Sequence, residues 1–540
     1  MRLSVAKWAA GRDSGSREPA KSSSVISRFA VAVRAVAYII PALILLTIAV
    51  MPAKTWIINL ATDDALYYPV VARNIALGLG STYDGITYTN GYHPLWCWLQ
   101  VPVAWLLGGL GSMTYLFFIK LLMVALVAAA LVIWARTVSQ LSESRWMSAS
   151  FVLLLGAYWW SVRTMYGGME TALVVLCIGI CLLLANNLIR DRSYPTAISL
   201  GVAFAACFLA RLDTVFFIAV LAITVLVKLG RGARLQAAWI LPASLLPLPY
   251  LLWNLNAFGS AVPVSGLRKT LASPDLAYQY GIIENFISVK IGKLADVFHP
   301  LGIGILLLTV IAAGWLGRRS LLEQSRKMGI LWVIPPAAAL HFAYIAIFMT
   351  EADVAWYQYL EHLSVFLIVG LLVASTAEWL GQVNSTRIVT WVPLAAVCIF
   401  VLAILFVYAP RKLPNSINVA SYGAATWARE HLQEGNPRFG MYDSGVFRFV
   451  SGFDTVAING LAGDRTTMRL AKEGKRAEII TRYEIDYVVE FVADLTILTI
   501  PPRYVLYRSE KFVFNANGPG RYLIVDSKWW NYKGSKLGAG

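Results

Sequence analysis

Thr62-Asp63-Asp64-Ala65-Leu66-Tyr67-Tyr68 follows closely on the first long apolar run of the chain, residues 34–51. Ionised side chains are costly in hydrocarbon, so two adjacent carboxylates mark the point where the chain has left the bilayer. A carboxylate at that depth can act as a general base where a lipid-borne substrate presents its head group. A plainer reading has Asp63 or Asp64 cap the short helix that follows.

The rest of the chain makes the membrane reading the stronger one. Of 540 residues, 58% are hydrophobic and only 14% charged, which suits a polytopic membrane protein and not a soluble domain. The 19 Trp and 25 Tyr fit two interfacial belts. A net charge of +16 would suggest nucleic acid in a soluble protein; here topology accounts for it, and no nucleic-acid partner is expected. The first 30 residues are polar and basic, without the apolar core or cleavage site of a signal peptide. Cys97, Cys177, Cys181, Cys207 and Cys398 lie in or beside apolar segments, and none has zinc-ligand spacing.

Runs near 34–51, 115–135, 147–162, 170–188, 195–210, 213–228, 236–253, 300–316, 328–348, 361–379 and 388–408 read as eleven crossings. With the N-terminus inside, the inner segments carry 19 basic residues and the outer loops before residue 409 carry nine, in accord with the positive-inside rule. Residues 195–228 read as a hairpin turning at Arg211-Leu212-Asp213, because Arg190/Arg192 and Lys228/Arg231/Arg234 both belong inside. The segment from His93 to Gly109 is too short to cross and reads as interfacial or re-entrant. The expected organisation is a cytoplasmic basic tail (1–33), a transmembrane domain (34–408) with a first outer loop over 52–114, and an extracytoplasmic α/β domain (409–540). That last part holds 18 of the 46 basic residues and short β-like stretches at 438–442, 455–458, 486–492, 504–507 and 521–525, with a helix over 424–432.

The outer loops collect the unusual polar residues. These are Asp63, Asp64, Arg73, Asn74, Asn90, Tyr92 and His93 in the first, and Arg163 and Glu170 in the second. Arg211 and Asp213 form the third, the fourth contains Arg268 and Lys269, and Trp356-Tyr357-Gln358-Tyr359 lies in the fifth. Acids, cations and aromatic rings at one depth suit a sugar-phosphate site. Bland roles stand beside these: Arg211 and Asp213 pairing across a turn, Glu170 capping a helix, Arg268 and Lys269 touching lipid head groups, His93 bonding locally. No G-x-x-x-x-G-K-[ST] loop is present, which argues against a nucleoside-triphosphate-driven pump.

Taken in order, Thr62-Asp-Asp-Ala-Leu-Tyr-Tyr68 with Asn74, Gly78 and Gly80, then Thr89-Asn-Gly-Tyr-His-Pro-Leu-Trp96, resembles bacterial membrane glycosyltransferases of the GT-C fold. Gly168-Met-Glu-Thr-Ala-Leu173, Ala210-Arg-Leu-Asp213 and the stretch from Phe258 to Lys269 recur in the same order in that group, whose soluble domain Tyr442-Asp-Ser-Gly445 and Asn459-Gly-Leu461 resemble. The group includes protein mannosyltransferases, the aminoarabinose transferase of lipid A and terminal arabinofuranosyltransferases.

The resemblance implies an inverting transferase in the bacterial inner membrane. It would take sugar from a polyprenyl phosphate and pass it to a cell-envelope glycan, lipid or protein on the extracytoplasmic face. It makes Asp63 the base and leaves Asp64 to orient the acceptor. Arg268 and Lys269, then Arg211, would hold the donor phosphate; Asn90, Tyr92, His93, Glu170 and Tyr357 would contact substrate. The family is not uniform in metal use, so the cofactor stays open; a divalent cation, if used, falls to Asp64 or His93. Pro69, inside the helix expected after the acid pair, departs from the pattern. The rival function is a transporter or flippase of a lipid-linked or anionic solute, which calls for buried polar groups near the bilayer midplane in repeated halves.

Overall fold

The computed structural model describes residues 20–230, 232–271, 318–350, 355–382, 416–493, 500–510, 513–515 and 518–530. The expected spans near 300–316 and 388–408 and the first 19 residues of the basic tail lie outside them. Among the described residues, six helices are long and apolar enough to cross a membrane: Ser112–Ser142, Thr171–Asp191, Leu212–Leu229, Ala233–Phe258, Gly329–Phe348 and Tyr359–Trp379. A seventh span is counted if Arg34–Val50 and Ala53–Asn59, bent by 119°, form one unit. The bend falls at Pro52, which has no N–H to continue the helix. Lys120 steadies it, donating to the carbonyls of Ala49 (2.9 Å) and Met51, which the broken helix leaves without partners.

Two expected spans are shorter than a full crossing. Residues 147–162 become Arg145–Ala157 and Trp159–Met165, split at Tyr158, whose backbone is extended. Residues 195–210 become the 17-residue helix Tyr194–Ala210. That helix stops at Arg211, extended at φ −165° and ψ 123°, so 195–228 is not one continuous helix. The Pro94–Leu107 helix has 14 residues, short of a crossing. Pro69 sits in the first turn of the Tyr67–Ala76 helix, where its missing N–H leaves no bond unmade, so it neither bends nor delays the helix.

The C-terminal part is a small α/β domain. Strands β1 (Phe439–Met441), β2 (Thr455–Ala457), β3 (Tyr487–Ala493), β4 (Val505–Arg508), β5 (Val513–Asn515) and β6 (Gly518–Asp526) form a sheet of order β2-β1-β3-β6-β4, with β5 on β6. β1 is parallel to β2 and β3, and the helices Gly445–Ser451, Arg465–Lys472 and Arg476–Arg482 lie in the crossovers. β3 and β6 are antiparallel, from Tyr487 opposite Asp526 to Ala493 opposite Gly520. Five of these strands match expected ones; β5 has no apolar alternation to announce it.

This domain packs on the loops that carry the acid pair. Asn418 donates to the carbonyls of Ile57 (2.7 Å) and Ala61 (2.8 Å), Thr89 to that of Gly463 (3.0 Å), and Lys472 to that of Thr270 (2.8 Å). Gly91 lies so close to Leu461 that a Cβ there would run into the Leu461 carbonyl. The helices and the near face of the sheet share one apolar core, in which Trp56, Leu66 and Tyr115 join Phe439, Val446 and Phe447.

Candidate active site

The acid pair opens a short 3-10 turn, Asp63–Leu66, whose backbone directs the two carboxylates to different partners. Asp63 faces the C-terminal domain. Its Oδ2 accepts from the Gly445 N–H (2.8 Å) and its Oδ1 from the Val446 N–H (2.9 Å). These are leading donors of the Gly445–Ser451 helix, and Ser444, at the capping position, makes no side-chain cap. Asp63 thus caps, across the domain boundary, a helix 382 residues further along the chain. Burial pushes its carboxyl up to about 8, with Asp443 and Asp64 adding to the rise and the two N–H groups pulling the other way. Gly445 is required by this closeness, since a Cβ would strike the Asp63 carbonyl.

Asp64 turns toward Lys269, at 3.6 Å. Lys269 ends the Val264–Lys269 helix and lies 5.8 and 5.5 Å from the ring centroids of Trp356 and Tyr357. Asp64, Lys269, Trp356 and Leu461 form the common wall of two cavities. The larger, about 500 Å³, runs among the helices past Tyr92, His93, Arg211 and Tyr357, with Phe208, Val215 and Leu251 on its apolar side. The smaller, about 290 Å³, lies against the soluble domain and is lined by Asp63, Arg268, Tyr442, Asp443 and Asn459.

A buried ionic network backs the larger cavity. Arg211 Nη1 donates to Glu170 Oε1 (2.8 Å) and to the Trp356 carbonyl (2.9 Å). Its Nε reaches both oxygens of Asp213, at 2.9 and 3.0 Å, and its guanidinium lies over the Tyr357 ring at 4.6 Å. Burial works against the Arg211 charge, but Asp213 and Glu170 more than offset it. Its Nη2 is buried without a partner among the described residues, so one arm of the guanidinium has donors that none of them uses. Glu170 also accepts from Tyr68 (2.8 Å) and lies 3.5 Å from His93 Nε2; it makes no side-chain cap for the helix it precedes. Burial holds His93 below its ordinary value. Beyond Asp213 the network continues to His341 (3.4 Å) and on to Glu361 (2.9 Å), with Tyr359 donating to Asp213 (3.1 Å).

The sequence-derived residues therefore divide. Asp64, Lys269, Arg211, Tyr92, His93 and Tyr357 line the larger cavity, and Glu170 stands behind it. Arg268 is on the other side, donating through Nε to the Asn459 carbonyl (2.9 Å). Asn90 lines neither cavity: it donates to Asn254 (3.0 Å) and accepts from the Val264 N–H (3.0 Å), tying two outer loops together. Among the described residues no group of three or more His, Cys, Asp or Glu side chains is arranged to hold a metal ion. His341, Glu361, Asp443 and Asn459 are not singled out as site residues by sequence. A histidine and an acid inside apolar runs were the available signals for the first two.

ArnT from Cupriavidus metallidurans, solved with undecaprenyl phosphate, is 12% identical and superposes with a TM-score of 0.51 over 94% of this chain and 98% of that one. The oligosaccharyltransferase of Archaeoglobus fulgidus, solved with Zn and sulfate, is 13% identical, with a TM-score of 0.50 over 90% of this chain and 72% of that one. The chain has the GT-C fold. A second structure of the archaeal enzyme, tethered to an acceptor peptide containing the NVT sequon, superposes with a TM-score of 0.50 at 12% identity, over 91% of this chain and 74% of that one. No family model matches this sequence, and no curated protein does. In this chain the acid-bearing loop and the C-terminal domain meet, as the contacts of Asp63 and Asn418 show.

Proposed function

We propose that this chain is an inverting glycosyltransferase that takes a sugar from a polyprenyl phosphate on the extracytoplasmic face of a bacterial inner membrane. The observation that carries the reading is the meeting of the two cavities at Asp64 and Lys269. An apolar-walled cavity with Arg211 and Lys269 in its lining suits a lipid phosphate, and a polar cavity on the soluble side suits an acceptor hydroxyl.

In this reading the acceptor oxygen attacks the anomeric carbon as the bond from that carbon to the phosphate oxygen breaks. The hydroxyl proton passes to a carboxylate, and the leaving phosphate keeps the electron pair. Asp64, on the wall shared by both cavities, is better placed for the proton than Asp63, whose two oxygens hold the soluble domain. This reverses the order that the sequence favoured. Lys269 and the unpartnered Nη2 of Arg211 offer donors to the phosphate, so no general acid is needed for a stabilised leaving group. Arg268 belongs to the acceptor side. The ion pairs of Arg211 with Glu170 and Asp213 lie at span ends beside one cavity, which favours transfer over transport.

The test is turnover by the full chain in nanodiscs with synthetic polyprenyl-phosphate pentoses and hexoses, scored by release of polyprenyl phosphate. Release by the natural chain and none by Asp64→Asn supports the reading. Equal release by both removes Asp64 as base, and no release from any donor removes the activity.

A further inference from the structure

Asn459, in the wall of the smaller cavity, has an amide donor with no partner among the described residues. Asn459 is 2% exposed. Its Oδ1 accepts from the Leu461 N–H at 3.0 Å, and its main-chain carbonyl accepts from Arg268 Nε at 2.9 Å. A backbone N–H can only donate, so the amide cannot be turned round, and Nδ2 is the atom left over. Nδ2 is buried and has no partner among the described residues. A buried amide donor left unmade is costly, and a ligand oxygen in the cavity that Asn459 lines would satisfy it.

Beside it stands an aromatic ring that the fold leaves open. Tyr442 follows β1 and is 41% exposed although it lines the same cavity. The Arg476 guanidinium lies 5.6 Å from its ring centroid, and Arg268 Nη2 is 3.5 Å from its hydroxyl. Arg476 is itself held by Glu490 at 2.9 Å. The ring is thus fixed at the cavity mouth, with much of its surface in water.

An open, pinned ring beside a buried amide donor and a carboxylate matches a pyranose or furanose. The C–H face of a sugar packs on the ring, its oxygens accept from an amide, and its hydroxyls donate to a carboxylate such as Asp443. The lining pairs three acids (Asp63, Asp64 and Asp443) with two cations (Arg268 and Lys269), so it offers no positive well for an anionic acceptor. The long apolar surface a lipid acceptor would need lies on the other side of Asp64, in the larger cavity.

We propose that the acceptor is a neutral glycan whose terminal ring stacks on Tyr442, with one of its oxygens taken by Asn459 Nδ2 and the attacking hydroxyl directed at Asp64. The assignment rests on the transferase reading for the chemistry, and on Tyr442 and Asn459 alone for the ligand class.

The experiment is saturation-transfer difference NMR on the full chain in nanodiscs, with neutral tri- to pentasaccharides of glucose, mannose, galactose and arabinose as probes. At least one series should bind, with the strongest transfer at its non-reducing terminal ring. Tyr442→Ala should weaken that binding about three- to tenfold, the scale of an aromatic contact. Asn459→Asp keeps the acceptor for Leu461 and removes the donor, and it should weaken binding comparably. In turnover with the binding saccharide, both variants should raise the acceptor KM more than they lower kcat. Absence of binding by every saccharide, or binding indifferent to both variants, overturns the proposal; a peptide or lipid acceptor then takes its place. Donor turnover without saccharide binding refutes the glycan and leaves the transferase. Saccharide binding without turnover of any donor refutes the transferase and leaves the glycan.

Discussion

Replacing Asp63 by alanine separates docking from chemistry. The Gly445 and Val446 N–H groups, both in buried residues, would lose the carboxylate that accepts from them. An unsatisfied buried donor costs about 1–3 kcal/mol, so losing two partners should destabilise the docked Gly445–Ser451 helix by roughly 2–4 kcal/mol, with water able to recover part of it. A free-energy loss of that size lowers amide protection about 30-fold to 1000-fold where exchange follows local opening. Hydrogen–deuterium exchange of the full chain in nanodiscs should show the loss at residues 445–451, with Thr171–Asp191 unchanged as the internal reference. Asp63→Asn keeps one acceptor oxygen and should fall roughly half-way. Asp64→Asn should leave this protection intact. Natural protection at 445–451 in Asp63→Ala, together with lost turnover, would falsify the docking role and return the base to Asp63.

Four further outcomes follow from the same contacts. Asp64→Asn should lower turnover about 10²- to 10⁴-fold, the usual contribution of a positioned base, in single-turnover assays. Arg211→Ala should destabilise the chain by about 3–5 kcal/mol in thermal unfolding, because Glu170 and Asp213 would stay buried without their cation. The pH dependence has a definite sign: the Asp63 carboxyl is pushed up to about 8 from an ordinary 3.8, so the native state holds its proton more tightly. Its contribution to stability should therefore be full below about pH 4, fall as pH rises to about 8 and then level off, and Asp63→Asn should lack that slope in melting curves. Topology is read with cysteines at two exposed sites. Lys528→Cys, at a side chain 80% exposed, should react with an impermeant thiol reagent on intact cells, whereas Glu323→Cys, at one 61% exposed, should react only once the inner membrane is opened. The reverse pattern would put the acid pair in the cytoplasm.

Much of the architecture was legible in the chain because its signals are local. A break between Ala210 and Asp213 was readable from the positive charges on either side, and the helix does end at Arg211. The 438–442, 455–458 and 486–492 stretches alternate apolar residues and became β1, β2 and β3. The continuity of residues 147–162 was not legible: Tyr158 is an ordinary belt residue by sequence, yet its extended backbone splits the run. Nor was the division of labour between Arg268 and Lys269. They are neighbours on one short helix, and a turn of about 100° per residue sets Lys269 on the wall shared by both cavities and Arg268 in the smaller one alone.

Sequence by itself determined that this chain lies in a membrane, that acids, cations and aromatics gather at its span ends, and that a small α/β domain closes it. Those properties come from composition and from charge against hydrocarbon, both of which act residue by residue. Only the tertiary structure decided which carboxylate faces which partner. Asp63 and Asp64 are chemically alike and adjacent, and nothing local distinguishes them. The distinction comes from two backbone N–H groups at Gly445 and Val446 and one ammonium at Lys269, each far along the chain. A hydrogen bond or an ion pair depends on separation and angle in space, and sequence distance says nothing about either.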